Sequence, residues 1–485
     1  MSAPSDPPSS ASSRGTRVHH RILAELGLTS VWQSPRDVKL LCAQRFVRLF
    51  AYGGSTLILA AYLSALDISD ERIGLFMTLT LVGDVAISFL LTLFADAMGR
   101  RAVLALGSAL MVGSGILFAS VGNYWVLLAA AVFGVINIRA YKLNDSGNEI
   151  GPFRAVEEST LAHLTPKEIL SDIFAWYSLI GNAGTALGMM TGGWAINLLQ
   201  VIWGWPYIPA CRVIFFAYAA IGALKFLLSI ALSSAVEAEK KKPAQRSSNE
   251  GERQPLLGDQ TSNAAPQEQP PQKKKSILSF LGDSEVVSLF LRLAILFALD
   301  SFASGLASLS WMTYFFKRKF SLPEGSLGSI FFTTSLISAA SVLVASSIAK
   351  RIGNVKTMVF THLPSAICLA LIPVPSVLPL ALTFLVLRAC SQTMDVAPRS
   401  AFLAAALPPD RRTAIMGSIN VVKTCAQSLG PLLTGILADR GVFGLSFTIA
   451  GILKAVYDIG MLLSFAGKEK QQRRPAPRNE DEEAA

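Results

Sequence analysis

Long apolar stretches alternate with short polar segments along most of the sequence. A helix needs about 20 mainly apolar residues to cross the hydrocarbon core of a bilayer, so each stretch predicts a spanning helix. The pattern predicts an all-α polytopic membrane protein with twelve transmembrane helices, which we call spans 1 to 12. The predicted spans are residues 39–66, 72–95, 102–121, 124–150, 171–198, 212–233, 286–315, 325–349, 355–374, 377–404, 413–438 and 442–466.

One polar segment is much longer than the others and divides the spans into six and six. Residues 234–285 are rich in Lys, Pro, Gln and Ser and poor in large apolar side chains, which is typical of a flexible linker. The predicted domains are therefore a six-helix half at 39–233 and another at 286–466. Residues 1–38 and 467–485 are predicted to be polar tails, the first of them disordered.

Composition excludes several classes of function. The chain is 52% hydrophobic and 16% charged, whereas soluble domains contain about 25% charged residues. A soluble enzyme, a disordered scaffold and a nucleic-acid-binding protein are therefore excluded. The sequence contains no recognisable catalytic, nucleotide-binding or zinc motif, so we expect neither enzymatic activity nor a cofactor or metal site.

The distribution of basic residues predicts the orientation. With both termini placed in the cytoplasm, 30 Lys and Arg residues fall on the cytoplasmic side and 6 on the other side. Cytoplasmic loops carry an excess of Lys and Arg, so this asymmetry favours cytoplasmic termini. The net charge of +10 is then a consequence of topology.

The two halves resemble each other at matched positions, which predicts a pseudo-symmetric pair of repeats. The last match has a shorter offset, which indicates about eight additional residues in the first half, at 137–144, either as an insertion or as a gene-model error. The matches are 50–53 with 302–305 at an offset of 252, Gly74 with Gly328 and Gly99 with Gly353 at 254, and Glu149-x-x-Pro152 with Asp395-x-x-Pro398 at 246.

The segment after span 2 carries a family motif. Residues 94–101 read FADAMGRR, which resembles the signature loop of the major facilitator superfamily, although Ala97 stands where that loop has Arg. Further blocks, including 174–188 and 394–402, resemble an uncharacterised bacterial and fungal branch. The resemblance implies secondary transport by alternating access, with spans 1, 4, 7 and 10 lining a central cavity. The residues it assigns to a cytoplasmic gate are Asp96, Gly99, Arg100 and Arg101.

Ionisable residues inside spans are costly and are candidates for function. Arg48 on span 1, Asp300 on span 7 and Arg388 on span 10 are the predicted substrate-cavity residues. The repeat makes Arg48 and Asp300 equivalent, so we expect them to pair in one conformation, either as a gate or as a static bridge. Glu149 and Asp395, each beside a predicted helix break, are the predicted proton-coupling residues, with capping of the broken helix as the alternative.

Other polar residues of the spans have structural explanations. Glu157 is expected outside the hydrocarbon, and Lys454 and Asp458 are expected to neutralise each other across one helical turn. His362 is a lone polar residue in span 9. The glycine stripe of span 5, at Gly181, Gly184, Gly188, Gly192 and Gly193, favours close helix packing.

Together these features predict a secondary active transporter of a small solute, proton-coupled, with a weak preference for an anion because Arg suits carboxylate and phosphate. The alternatives are a proton-driven drug or metabolite exporter and a non-transporting membrane sensor or scaffold. The expected partners are the solute, protons and the lipid bilayer. Glu252, Leu256 and Leu257 resemble a dileucine signal for sorting adaptors, so the location is the plasma membrane or a vacuolar or lysosomal membrane.

Overall fold

The computed structural model describes residues 28–134, 152–166, 168–237, 284–408 and 411–472. Within these ranges the regular structure is helical: fifteen α-helices form twelve spans, and a short helix, Leu28–Gln33, precedes the first of them. Six of the described helices are long and apolar enough to cross a membrane by length and composition. The spans are, in order, Arg36–Ala65, Asp70–Met98, Arg100–Ser120, Tyr124–Gly134 with Pro152–Leu164, Leu170–Val201, Tyr207–Ile230, Ser284–Leu306 with Leu309–Phe320, Glu324–Ile352, Asn354–Leu371, Leu378–Ser391 with Val396–Ala406, Arg412–Asp439 and Phe443–Gln472.

Spans 7 and 10 are each broken near the middle. Span 7, predicted as one helix, is interrupted between Leu306 and Leu309, and Ser308 stands at the N-cap of its second helix. In span 10 the break lies between Ser391 and Val396. Pro398 falls in the first turn after that break, where a missing backbone N–H costs no helical hydrogen bond.

Span 4 extends further along the chain than its apolar run predicts. Its second helix, Pro152–Leu164, packs against spans 1, 2 and 3, so this segment belongs to the bundle and is not a loop. Residues 135–151 lie outside the described part of the chain. The predicted insertion at 137–144 and the predicted proton carrier Glu149 therefore lie outside it as well.

The turns at both ends of the bundle repeat between the halves. Asp67 after span 1 and Ser321 after span 7 have positive φ angles of 60° and 52°. Gly99 before span 3 and Gly353 before span 9 have φ angles of 88° and 100°. Equivalent turns thus share unusual backbone conformations, which is the geometry expected of a repeated six-helix unit. We call the end that carries Gly99 and Gly353 the linker end, and the end that carries Asp67 and Ser321 the opposite end.

The hydrophobic core divides along the length of the bundle. At the opposite end one cluster joins the two halves and includes Tyr62, Phe118 and Trp311. At the linker end each half has its own cluster, one containing Leu104 and the other Phe465. The halves are therefore joined by one core at the opposite end and packed separately at the linker end.

Glycines permit the close contacts that join the halves. A Cβ atom added at Gly74 of span 2 would lie 2.6 Å from the carbonyl oxygen of Pro431 in span 11. A Cβ atom added at the equivalent Gly328 of span 8 would lie 2.5 Å from the carbonyl oxygen of Met189 in span 5. Both distances are shorter than a van der Waals contact, so neither position accommodates a side chain unless the spans separate.

Candidate transport site

A buried ion network connects three spans of the N-terminal half. The carboxylate of Glu157 on span 4 lies 3.1 Å from the NH2 nitrogen of Arg48 on span 1 and 3.3 Å from Nζ of Lys225 on span 6. The Tyr177 hydroxyl on span 5 donates to the same carboxylate, and the Arg45 guanidinium lies over the Tyr177 ring. One carboxylate thus compensates two direct cationic partners.

The sequence did not predict that the bundle encloses Glu157. The sequence indicated that this residue lies outside the hydrocarbon, but its side chain is fully buried inside the bundle. The reason is that Glu157 lies on the helix Pro152–Leu164, which packs against spans 1, 2 and 3. Sequence reasoning gave no role to Lys225, although a lysine within an apolar span was the signal that could have identified it.

A second buried network connects three spans of the C-terminal half. Asp300 on span 7 accepts a hydrogen bond from Nζ of Lys454 on span 12, at 2.6 Å, and lies 3.5 Å from the NH1 nitrogen of Arg399 on span 10. The NH2 nitrogen of Arg399 lies 3.5 Å from Asp395, at the break of span 10. Nζ of Lys454 also donates to the Ser304 hydroxyl at 2.9 Å. Two carboxylates here face one guanidinium.

A neighbouring pair corrects two further expectations. His362 of span 9 is not a lone polar residue, because its Nδ1 lies 2.9 Å from the Asp458 carboxylate of span 12. Lys454 and Asp458 were expected to neutralise each other. In the structure Lys454 forms an ion pair with Asp300, and Asp458 contacts His362. The two side chains therefore contact different spans: Lys454 contacts span 7 and Asp458 contacts span 9.

The two networks occupy equivalent spans but distribute charge differently. Spans 1, 4 and 6 contribute Arg, Glu and Lys, whereas spans 7, 10 and 12 contribute Asp, Arg and Lys. The predicted pair of Arg48 with Asp300 is absent from this conformation, because each bonds within its own half. Asp300 is 1% exposed. In this conformation it is therefore enclosed within its half and does not line an open cavity.

Arg388 lies apart from both networks, in a pocket between spans 7, 8 and 10. The pocket adjoins the break of span 7, with Ala307 and Leu309 in its wall. Gln392, at the break of span 10, also lines it. Broken spans meeting at a polar pocket are a recurrent arrangement at the binding sites of transporters.

The predicted gate residues form bonds within the N-terminal half. The backbone N–H groups of Arg100 and Arg101 donate to the Glu237 carboxylate, at 2.8 and 3.1 Å, and Gly99 provides the positive-φ turn before them. The Arg101 guanidinium also donates to the carbonyl oxygen of Ile230 at the end of span 6. These bonds fasten the turn between spans 2 and 3 to the start of the linker. The side chain of Asp96 and the sorting residues Glu252, Leu256 and Leu257 lie outside the described part.

The opposite end carries a polar seal that the sequence did not predict. Asp70 at the start of span 2 accepts hydrogen bonds from the Tyr314 hydroxyl, at 3.1 Å, and from Arg318, at 2.5 Å, both on the second helix of span 7. The Ser310 hydroxyl donates to the carbonyl oxygen of Thr56 at 3.0 Å. All three bonds cross between the halves, so they close this end of the bundle together with the shared core.

The comparisons with known proteins agree with this architecture. A sequence profile described as the Major Facilitator Superfamily matches residues 41–323 and 293–484. The chain belongs to the major facilitator superfamily. An uncharacterized membrane protein of Saccharomyces cerevisiae, YJR124C, is 36% identical over 435 residues, which cover 89% of this chain and 94% of that protein.

Solved structures of superfamily transporters share the fold. A bacterial homolog of the human lysosomal transporter Spinster, in an inward-facing and occupied conformation, has a TM-score of 0.65 at 13% identity and covers 91% of this chain and 98% of its own. The nucleoside transporter NupG has a TM-score of 0.64 at 13% identity and covers 89% of this chain and 99% of its own. The chain is therefore a membrane-spanning member of a superfamily of secondary transporters, with twelve spans in two halves.

Proposed function

We propose that this protein is a proton-coupled secondary transporter that moves a small solute by alternating access. The observation that supports proton coupling best is the buried network in which Asp300 and Asp395 both lie 3.5 Å from Arg399. Two carboxylates that share one guanidinium form an arrangement whose pairing changes when one of them takes a proton.

The coupling step follows from this geometry. When Asp395 binds a proton, its attraction for Arg399 falls, and the guanidinium then pairs more strongly with Asp300. Asp300 also holds Lys454, so its stronger pairing with Arg399 weakens the contact between spans 7 and 12. Asp395 lies at the break of span 10, where the backbone adjusts without disrupting a continuous helix. Protonation thereby changes how spans 7, 10 and 12 pack.

The path of the solute follows from the division of the core. We place the linker end in the cytoplasm because of the Lys and Arg distribution, 30 against 6. The separate cores at the linker end then give the solute access from the cytoplasm, while the shared core closes the other side. Transport requires a second conformation in which the shared core divides and the linker ends of the two halves meet.

The test is flux into proteoliposomes for a broad panel of metabolites, with and without an imposed pH gradient. Wild type should transport at least one solute faster with the gradient. Asp395→Asn should remove the response to the gradient, and Asp300→Asn should reduce flux by about tenfold or more because it leaves Arg399 and Lys454 without that carboxylate. Asp439→Asn, at an exposed position, is the matched control and should behave as wild type.

Three outcomes would contradict the proposal. Equal flux with and without the gradient in wild type would exclude proton coupling. An unchanged gradient response in Asp395→Asn would exclude that residue as the proton carrier. Absence of flux for every solute, from protein shown to be folded, would favour the non-transporting sensor.

A further inference from the structure

Arg388 differs from four other arginines and lysines of the described spans. Arg48, Lys225, Arg399 and Lys454 each lie within reach of a carboxylate. No hydrogen bond or ion pair joins Arg388 to any group in the described part of the chain, and its Nε is buried without an acceptor. A guanidinium has five N–H donors, and leaving them unpaired in apolar surroundings is costly. Within the described residues nothing supplies an acceptor to this guanidinium, and the pocket beside it has room for one from a ligand.

The pocket around Arg388 supplies few other donors. The Thr334 and Ser335 hydroxyls both donate to the carbonyl oxygen of Phe331, at 3.1 and 2.7 Å. The Gln392 side-chain nitrogen donates to the Ser338 hydroxyl at 3.2 Å. The two hydroxyls and one N–H of the Gln392 amide are thus already bonded to the protein. The positive charge available to a ligand is that of Arg388, which matches one negative charge and not two.

The second helix of span 7 adds to the field in the pocket. It begins at Leu309, which lines the pocket, and the first amides of a helix have no acceptor within that helix. The N-terminal end of a helix favours negative charge. The remainder of the wall is apolar and includes Met312, Phe331 and Leu385. The pocket therefore combines one cationic fork with an apolar surface.

We propose that this pocket binds a small organic monocarboxylate with an apolar body, whose carboxylate pairs with the Arg388 guanidinium. The planar fork of Arg matches a carboxylate through two parallel hydrogen bonds. A phosphate dianion would need a second cation, and the pocket lining contains none. The proposal rests on the proposed transport function, since it assigns the class of solute that the transporter carries.

The test measures binding, so that it does not depend on flux. The melting temperature of purified full-length protein in detergent is followed with acetate, butyrate, hexanoate and 3-phenylpropanoate, with the matching primary amides, and with inorganic phosphate. We expect the larger carboxylates to raise the melting temperature in a saturable way and the amides and phosphate to have no effect. Arg388→Gln should weaken the apparent affinity by about tenfold to a hundredfold, since it removes a charge-assisted pair.

Controls separate binding from folding. Arg292→Gln removes an exposed arginine from span 7 and should leave the carboxylate response unchanged. Arg388→Lys keeps the charge but not the fork, so it should bind more weakly than wild type even if Arg388→Gln does not fold. A stronger response to phosphate or to the amides would overturn the proposal, and so would an unchanged response in both Arg388 variants.

The outcomes also distinguish this proposal from the proposed function. Proton-driven flux of a neutral solute, with no carboxylate response, would refute the monocarboxylate site and leave proton-coupled transport in place. Carboxylate binding that depends on Arg388, without any flux, would refute transport and leave the binding site in place.

Discussion

Glu157 is the residue on which the N-terminal network depends. It is fully buried and lies within 3.3 Å of both the Arg48 guanidinium and the Lys225 ammonium group. Neither of these cations has another carboxylate among its described ion pairs. Removing one partner of a buried pair leaves an uncompensated charge, which costs more than the pair contributes when intact.

We predict that Glu157→Gln destabilises the protein by about 3–5 kcal/mol. The measurement is thermal unfolding of the purified protein, in which the variant should melt well below wild type. Glu168→Gln, at an exposed position, is the control and should melt with wild type. Adding Lys225→Met to Glu157→Gln should recover part of the loss. If Glu157→Gln melts like wild type, the network is not structural.

For the charged residues, the sequence predicted the depth in the span better than the residue with which each one pairs. Counting residues along a span gives the depth of Arg48 and Asp300, because each helical residue advances by about 1.5 Å. It does not give their partners. Arg48 and Glu157 are 109 residues apart, and their meeting depends on how spans 1 and 4 rotate about their axes. Arg399 lies within the predicted span 10 and was assigned no role, yet it is 3% exposed and contacts two carboxylates.

At the scale of elements, spans 1 and 5 pack as closely as backbones allow. A Cβ atom added at Gly188 would lie 1.9 Å from the carbonyl oxygen of Phe50, and one added at Gly184 would lie 2.7 Å from that of Phe46. The glycine stripe of span 5 therefore has the packing role predicted for it. Without these glycines the two helices could not maintain their present separation.

We predict that Gly188→Ala destabilises the protein by about 1–3 kcal/mol, because the added methyl group forces spans 1 and 5 apart. The matched control is Gly113→Ala in span 3, where no atom lies within 4 Å of the added Cβ. Thermal unfolding of both variants checks the prediction. Gly113→Ala should be neutral or slightly stabilising, since Ala favours a helix. Equal melting temperatures for the two variants would contradict it.

The repeat of the two halves could be predicted from the sequence because several matched positions are glycines at close contacts between helices, where a side chain does not fit. Gly53 and Gly305 occupy equivalent close contacts. A Cβ atom added at Gly53 would lie 2.1 Å from the carbonyl oxygen of Thr185, and one added at Gly305 would lie 2.2 Å from that of Gln427. The break of span 7 was harder to predict. Apolar residues continue directly after the span 7 break, from Leu309 to Phe316, and neither residue of the break is Pro or Gly.

At the scale of the whole molecule, the closed opposite end depends on both apolar and polar contacts. The shared core supplies the apolar part, and Asp70 supplies the polar part through Tyr314 and Arg318. The number of spans could be predicted because bilayer thickness fixes their length. The sequence could not predict which end is closed, because the same spans remain in the membrane in every conformation of an alternating-access cycle.

We predict that Asp70→Asn makes the opposite end open more often. The measurement places a cysteine at Ser310, which is 1% exposed, in a chain without other cysteines, and follows its labelling by an impermeant maleimide added from that side. Labelling should be about two- to fivefold faster, in proportion to a partly exposed ion pair. Glu71→Gln, the exposed neighbour in the same turn, is the control. An unchanged rate in Asp70→Asn would show that the apolar core alone closes this end.

The shared core also has a consequence for biosynthesis. Its members extend from Ala51 in span 1 to Ala450 in span 12. Translation proceeds from the N-terminus, so spans 1 to 6 enter the membrane while the surface that they will bury against the second half is still exposed to lipid. That surface is not fully buried until the last span has emerged from the ribosome. A chain that stops within the linker would present the same unfinished face to the quality-control machinery of the membrane.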